Sequence, residues 1–318
     1  MEKASGLRGL IRNIFGGQSS APTETAAPAQ PAGMGREEIF EAVREAGRKA
    51  REASRRMSAA SPAAKNLALE TLASLIEGRA EEIMAANAED LAAAEAAGID
   101  APRMDRLRLT PAILADMAGT CRYVAQLPDP VGAMDSQWQR PNGILVGRMR
   151  VPLGVVAMIY EARPNVTVDA SILCLKAGNA VMLRGGREAL RSNIALAGLL
   201  REALAEAGLP EGAVQFIDIT SHDSVSALCK LEEYVDVLIP RGGETLVRAV
   251  TSQATMPVLK HYMGVCHAFI DESADLEQAA EIVFNGKVQR PGVCNALECL
   301  LVHEAVAGRF LPMVGSFP

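Results

Sequence analysis

Cys294 stands in a setting that suits nucleophilic chemistry. It lies in the polar segment QRPGVCN at 289–295, between a predicted helix and a predicted strand. A thiol beside Arg290 and the backbone N–H groups of a loop forms a thiolate more readily than a buried thiol, and the thiolate is the reactive form. Cys294 is therefore a candidate nucleophile, although an ordinary exposed loop cysteine fits this pattern equally well.

The other cysteines are weaker candidates. Three fall among apolar residues of predicted helices, where buried and inert thiols are common, and one alternates within a strand: Cys121, Cys174, Cys229 and Cys299. Cys266 adjoins His267 and lies near His261, which raises the question of a metal site. No fourth ligand follows at a recognisable spacing, so we expect no metal.

Two glycine pairs could bind phosphate. They lie in Arg184-Gly185-Gly186-Arg187 and in Arg241-Gly242-Gly243, each after an apolar run and before a predicted helix. Helix N-termini that follow glycine turns present backbone N–H groups to anions. A single pair would more simply end a strand, but two equivalent pairs favour a dinucleotide or phosphate ligand. The G-x-G-x-x-G fingerprint of the usual Rossmann fold is absent.

Asn165 follows another strand end, in the segment EARPN at 161–165. Enzymes with α/β sheets place their sites on such loops, and an amide there could donate a hydrogen bond to an oxyanion. From the residues alone, an ordinary turn residue beside Pro164 is the simpler interpretation.

The elements that would position these residues alternate between strand and helix. Successive helices are predicted from Arg36 to about Ala97, with starts at Ser61-Pro62 and, further on, at Thr110-Pro111. A hairpin is predicted within 127–150, where Pro, Asn and Gly interrupt short apolar runs. Predicted strands occupy 155–160, 180–183, 213–217, 235–239, 265–270 and 297–302, with helices between them. This alternation predicts an α/β fold with a parallel sheet.

Composition excludes several classes of protein. The 318 residues are 49% hydrophobic and 22% charged, as in an ordinary globular protein of about two domains. With a net charge of −6 the sequence lacks the excess of Lys and Arg that is typical of proteins that bind nucleic acid. No apolar run is long enough to span a membrane. Six scattered cysteines favour free thiols in a reducing compartment, which we take as the cytoplasm.

Several segments together resemble the gamma-glutamyl phosphate reductase family, whose members are also called glutamate-5-semialdehyde dehydrogenases. The segments are IYEARPNVTVD at 159–169, LCLKAGNAV at 173–181, LRGGRE at 183–188, LIPRGG at 238–243, GVCHAFIDESAD at 264–275 and QRPGVCNALECLLVH at 289–303. This family belongs to the aldehyde dehydrogenase superfamily, whose Rossmann-like cofactor domain lacks the glycine fingerprint. The resemblance runs from roughly Arg36 to Met313.

The resemblance implies a fold in several parts. Residues 34–126 and 151–258 would form the NADP-binding domain, and 127–150 an oligomerisation hairpin. Residues 259–318 would form an incomplete α/β catalytic domain. Residues 1–33, rich in Ala, Pro, Ser and Thr after a short amphipathic patch, would be a disordered extension without a family counterpart.

The resemblance also implies a reaction. Cys294 would attack L-glutamyl 5-phosphate and expel phosphate, and NADPH would reduce the resulting thioester to L-glutamate 5-semialdehyde, the second step of proline biosynthesis. Asn165 and the N–H of Cys294 would form the oxyanion hole. The segment 257–265 lacks Glu and Asp, so a base that would activate water against the thioester is missing there, which favours reduction.

The remaining assignments also follow from the resemblance. The residues near the cofactor would be Gly185, Gly186, Gly242 and Gly243, with Arg184 and Arg187 as candidates for the 2′-phosphate of NADP. Arg163 and Arg290 would bind substrate. Glutamate 5-kinase is a candidate partner, and the family's hairpin implies a homo-oligomer.

The family pattern continues past residue 312, whereas this sequence ends in GSFP at 315–318. We therefore expect a C-terminally truncated chain with exposed strand edges, prone to aggregation and weakly active or inactive. The alternative is a non-catalytic remnant that binds a nucleotide or a partner.

Overall fold

The computed structural model describes residues 34–261, 264–291 and 293–317, and the expected extension over residues 1–33 lies outside them. The described residues fall into two compact units, 34–261 and 264–317. No helix within these ranges is long and apolar enough to cross a membrane.

The first unit opens with five helices. They are α1 (Arg36–Met57), α2 (Pro62–Gly78), α3 (Ala80–Ala96), α4 (Ala101–Leu107) and α5 (Pro111–Gln126). The predicted starts at Ser61 and Thr110 are confirmed, since each hydroxyl accepts a hydrogen bond from a backbone N–H three residues on. Such a cap contributes about 1 kcal/mol. On α2, Leu69, Leu72 and Ile76 are fully buried, so these helices contribute to the main core.

A four-stranded parallel sheet forms the centre of this unit. Its strands are β3 (Val155–Tyr160), β4 (Ala180–Arg184), β5 (Val214–Phe216) and β6 (Val237–Arg241). The connecting helices are α6 (Asn165–Lys176), α7 (Leu190–Glu206) and α8 (His222–Cys229), and α9 (Glu244–Gln253) follows β6. Strands β3 and β4 are almost wholly buried, which explains their continuous apolar sequences.

The strand order is β5-β4-β3-β6, so the direction of winding reverses at β3. Right-handed crossovers in opposite directions place helices on both faces of the sheet. Helix α1 packs against β4, β5 and α8, whereas α7 packs against α2 and α3. The predicted α/β class is confirmed as a doubly wound sheet.

The predicted hairpin is also present. Strands β1 (Met134–Gln139) and β2 (Leu145–Met149) pair antiparallel, separate from the main sheet. Every residue of β1 is exposed, including Trp138 at 41%.

The second unit is small. Strands β7 (Cys266–Ile270) and β8 (Leu297–Val302) pair in parallel, and they pack with α10 (Leu276–Val288) and α11 (Glu304–Val314). Its core includes Ile270, Leu297, Val306 and Phe310. Phe269 and Leu301 lie opposite each other on the two strands and are 60% and 48% exposed, so one face of this pair is not covered within the unit.

Candidate active site

The carboxyl ends of β3 and β6 mark the point where the winding of the sheet reverses. Tyr160, the last residue of β3, pairs with Arg241, the last residue of β6. The loops that follow the two strands therefore emerge side by side. Ligands of open α/β sheets bind in the crevice at such a reversal point. Asn165 begins the helix that follows β3, and the Gly242–Gly243 pair follows β6, so both lie after carboxyl ends of the sheet.

The start of α9 has the chemistry of an anion site. The backbone N–H of Gly243 donates to Glu161 Oε2 at 3.0 Å, so an anionic oxygen already occupies this helix N-terminus. A side chain at Gly243 would meet nothing within 4 Å, whereas one at Gly242 would lie 2.5 Å from the Glu161 carboxylate. The open space around Gly243 would admit a bulkier anion in place of the Glu161 carboxylate.

The other glycine pair is arranged differently from the prediction. After Gly186 the chain makes a 3-10 turn, Arg187–Ala189, and α7 begins only at Leu190. The first amides of α7 are also occupied, since Asp90 accepts hydrogen bonds from the N–H groups of Arg191 and Ser192 at 3.2 and 2.8 Å. Helical structure thus begins directly after Gly185-Gly186, as predicted, but as a 3-10 turn, and the α-helix starts three residues later, where Asp90 accepts from its first amides.

The two arginines beside this pair differ sharply. Arg184 is 8% exposed, and its guanidinium donates to the carbonyl oxygens of Gly185 and Thr220, each at 2.9 Å. Burial lowers the pKa of this guanidinium. Arg187 is exposed. Of the two, only Arg187 presents its side chain to solvent, and Arg184 stabilises the loop from within.

An open groove of about 410 Å³ lies beyond the end of β6. Its lining includes the cationic side chains of Arg241 and Lys260, the imidazole of His261, and apolar residues from the strand and from 258–259. Leu238 bonds to Pro257 and Leu259 along the backbone, which holds this returning segment beside β6. The groove is therefore basic and suits an anionic ligand.

The loop between β3 and α6 is held in a strained conformation. Ala162 has φ +49°, a region that residues with a side chain seldom adopt. Its N–H donates to Glu188 Oε1 at 2.6 Å, and this bond holds the turn. Arg163 is exposed next to it. Strain of this kind clusters at functional sites, which agrees with the position of this loop at the reversal point.

Asn165 is the first residue of α6 and is half-buried. Its Nδ2 donates to Asp169 Oδ2 at 2.9 Å, one helical turn further on. A carboxylate can only accept, so this bond fixes the amide with its nitrogen toward Asp169. The second N–H of the same nitrogen is left to bind another acceptor.

Cys294 lies in the second unit and is exposed. It belongs to the turn before β8, where Ala296 N–H donates to the Val293 carbonyl at 3.1 Å. The Cys266 thiol donates to the Cys294 carbonyl oxygen at 3.6 Å, which ties the turn to the first residue of β7. Arg290 is exposed in the same loop. Within the described residues there is no group of three or more His, Cys, Asp or Glu side chains that could hold a metal.

The helical cysteines are unreactive by comparison. Burial raises the pKa of the Cys121 and Cys174 thiols to about 12 and that of Cys229 to about 11. At pH 8 a thiol with a pKa of about 12 is ionised to only about one part in 10⁴.

Alkylation should therefore separate Cys294 from the three helical thiols, whose pKa values are raised. At pH 8 we expect iodoacetamide to modify Cys294 at least about tenfold faster than Cys121, Cys174 and Cys229, as measured by peptide mass spectrometry over time. In guanidinium chloride all four should react alike. Equal rates in the native protein would contradict the burial described above.

Three carboxylates of this region were not predicted from the sequence. Glu161, Asp169 and Glu188 each hold a loop or an amide beside the crevice. For Glu161 and Asp169, the sequence feature that could have indicated a function was their position within the motif at 159–169.

Comparisons with known proteins agree with this geometry. The model of the aldehyde dehydrogenase family matches residues 18–316. A gamma-glutamyl phosphate reductase of Nitratidesulfovibrio vulgaris strain DP4 is 66% identical over 278 residues, which are 87% of this chain and 66% of that protein. The same enzyme of Oleidesulfovibrio alaskensis is 63% identical over 279 residues, which are 88% of this chain and 67% of that protein.

A solved structure is also similar. The crystal structure of gamma-glutamyl phosphate reductase from Thermotoga maritima matches with a TM-score of 0.81 and 44% identity, covering 86% of this chain and 66% of that one. The chain thus spans about two thirds of the length of the relatives it matches. These matches show that the chain belongs to the aldehyde dehydrogenase family, in the branch of the gamma-glutamyl phosphate reductases.

Proposed function

We propose that this protein reduces L-glutamyl 5-phosphate to L-glutamate 5-semialdehyde, with release of phosphate. The observation that carries the proposal is an exposed Cys294 within the segment QRPGVCNALE, in a chain 66% identical to a protein named for this activity. We place this reaction in proline biosynthesis, as the resemblance to the family implies.

The proposed chemistry begins at the thiol of Cys294. Its thiolate attacks the acyl carbon, the bond to the phosphate oxygen breaks, and a thioester forms on the sulfur. Asn165 donates the second N–H of its amide to the oxygen that becomes negatively charged. After reduction, the thiohemiacetal oxygen re-forms the carbonyl and the sulfur leaves as thiolate. Arg163 and Arg290, both exposed, are assigned to the anionic groups of the substrate.

Membership of the family implies a nicotinamide cofactor, and the open space around Gly243 supports its placement at the start of α9. The cofactor, which we take as NADPH, supplies the hydride that reduces the thioester. The backbone at Gly242 and Gly243 would hold its phosphates in place of the Glu161 carboxylate, and the loop at Gly185 and Gly186 would lie beside it. We assign the 2′-phosphate to Arg187, because the guanidinium of Arg184 is buried in bonds to carbonyl oxygens.

Replacing Gly243 with Ala separates cofactor binding from folding. Gly243 has φ −63° and free space around its Cβ position, so alanine fits the free protein. A methyl group there would obstruct a phosphate that approaches the N–H. We expect the Kd for NADPH, measured by nucleotide fluorescence, to rise at least about tenfold while Tm changes little. An unchanged Kd would remove Gly243 from the proposed cofactor site.

The reaction itself is tested in reverse. We expect glutamate 5-semialdehyde to reduce NADP beyond one turnover per active site only when inorganic phosphate or arsenate is present, because the thioester needs an oxyanion to release it. Reduction that is independent of phosphate would favour hydrolysis over the proposed chemistry. Running NADP beside NAD establishes the cofactor preference in the same assay.

The hairpin β1–β2 is proposed as an oligomerisation arm, because an isolated pair of strands with no covered face is only marginally stable in water. Glutamate 5-kinase, which would supply the acyl phosphate, remains a proposed partner. A cytoplasmic location is proposed as well, supported by the cysteines of the described chain, which are all free.

A further inference from the structure

Asp169 has an unusual environment for a carboxylate. It lies on α6 and is half-buried, and its Oδ2 accepts the hydrogen bond from Asn165. The hydrogen bond from Asn165 is the one shown for this carboxylate among the described residues, and no charged side chain contributes to the shift of its pKa. Burial raises the pKa of Asp169, and only the bond from Asn165 opposes this. A half-buried negative charge without a cation costs stability.

Carboxylates that are held half-buried by a single hydrogen bond occur often at sites that serve a ligand, where function offsets the cost in stability. The ligand would have to be cationic, because it must compensate the charge of Asp169. It would also have to reach the neighbouring amide of Asn165. The proposed substrate meets both conditions, since a glutamyl group carries an α-ammonium.

The dimensions agree. Residues one helical turn apart, such as Asn165 and Asp169, have Cβ atoms about 5–6 Å apart. In a glutamyl group the α-nitrogen is four bonds from the acyl carbon, which is about 5 Å in the extended form. One substrate molecule can therefore place its acyl oxygen at Asn165 and its ammonium at Asp169.

We propose that Asp169 binds the α-ammonium group of the glutamyl substrate and so selects an amino acid over an otherwise identical carboxylic acid. This inference rests on the proposed function. It adds a specificity-determining residue that is not needed for the chemistry at the thiol.

A pair of stable ligands tests the proposal without turnover. The γ-methyl ester of L-glutamate carries the α-ammonium, and monomethyl glutarate is the same molecule without it. Isothermal titration calorimetry would compare their binding to the wild-type chain, to Asp169→Asn and to Asp116→Asn. Asp116 is an exposed carboxylate on α5 and controls for the loss of one charge.

We expect the wild type and Asp116→Asn to bind the amino ester at least about tenfold more tightly than monomethyl glutarate. Asp169→Asn should lose this preference while it still binds monomethyl glutarate. A preference retained in Asp169→Asn, or the absence of a preference in the wild type, would overturn the proposal.

Folding of the variant is checked by its Tm. Asparagine can still accept the bond from Asn165 and carries no charge, so Tm should equal or exceed that of the wild type at neutral pH. Since the folded-state pKa of Asp169 is raised, any stabilisation should shrink as the pH falls and the wild-type carboxyl becomes protonated. Asp169→Ser, measured in the same way, provides a second variant with the same expected loss of preference.

The outcomes also separate this inference from the proposed reaction. If the preference for the amino ester depends on Asp169 but no phosphate-dependent turnover is found, the ammonium site is supported and the proposed reaction is excluded. If turnover is found but the preference for the amino ester is unchanged in Asp169→Asn, the reaction is supported and the ammonium site is excluded.

Discussion

The Cys294→Ala variant should catalyse the phosphate-dependent reduction of NADP by glutamate 5-semialdehyde at least about 10³-fold more slowly than the wild type. The methyl group cannot attack the carbonyl, so no covalent intermediate forms, and loss of a nucleophile removes most of the catalytic rate. Because Cys294 is an exposed turn residue, the variant should keep its Tm.

The control for this variant is Cys299→Ala. Cys299 is a half-buried thiol in β8 of the same unit, and it has no part in the proposed chemistry. Its activity should stay within about threefold of the wild type. Equal losses in both variants would point to a structural effect, and full activity in Cys294→Ala would exclude this residue as the nucleophile.

Asn165→Ala should lower kcat by about 10²–10³-fold with a much smaller change in KM. Removal of one donor to a developing oxyanion has effects of this size, because the bond strengthens as charge forms on the oxygen. Alanine is a good helix former at the start of α6, so the fold should be kept, with a lower Tm because Asp169 loses the bond from Asn165.

A helical asparagine away from the crevice gives the matched control. Asn285→Ala, at an exposed position on α10, should leave kcat unchanged. A KM effect alone in Asn165→Ala would mean that the amide binds the ground state and does not stabilise the oxyanion.

Much of the fold could be predicted because its signals are local. Strands β3 and β8 match their predicted limits to the residue, since each is a bounded apolar run. The caps at Ser61 and Thr110 depend on residues within one turn of the helix start. The class of fold then follows from the order of the elements.

The predictions fail where residues distant in the sequence determine the limits of an element or the burial of a side chain. Strand β6 runs from Val237 to Arg241, past the predicted end at 239, because its partner β3 continues to Tyr160. The start of α7 depends on Asp90, and the burial of Arg184 depends on the carbonyl of Thr220. None of these partners can be identified from the segment concerned.

The candidate site was predictable in part for the same reason. Its glycines, Asn165 and Cys294 follow strand ends or stand in a polar loop, which a sequence reveals. The functions of Glu161 and Asp169 depend on which amide each carboxylate accepts, and only the structure identifies those amides.

The most direct test of the account is a single turnover without phosphate. Mixed with glutamate 5-semialdehyde and NADP, the wild-type chain should form one NADPH per active site, slowly if it is as weakly active as its sequence predicts, and then stop because the thioester has no acceptor. Mass spectrometry should then find one glutamyl group on the peptide that carries Cys294. A burst that persists in Cys294→Ala, or a glutamyl group on another residue, would contradict the account.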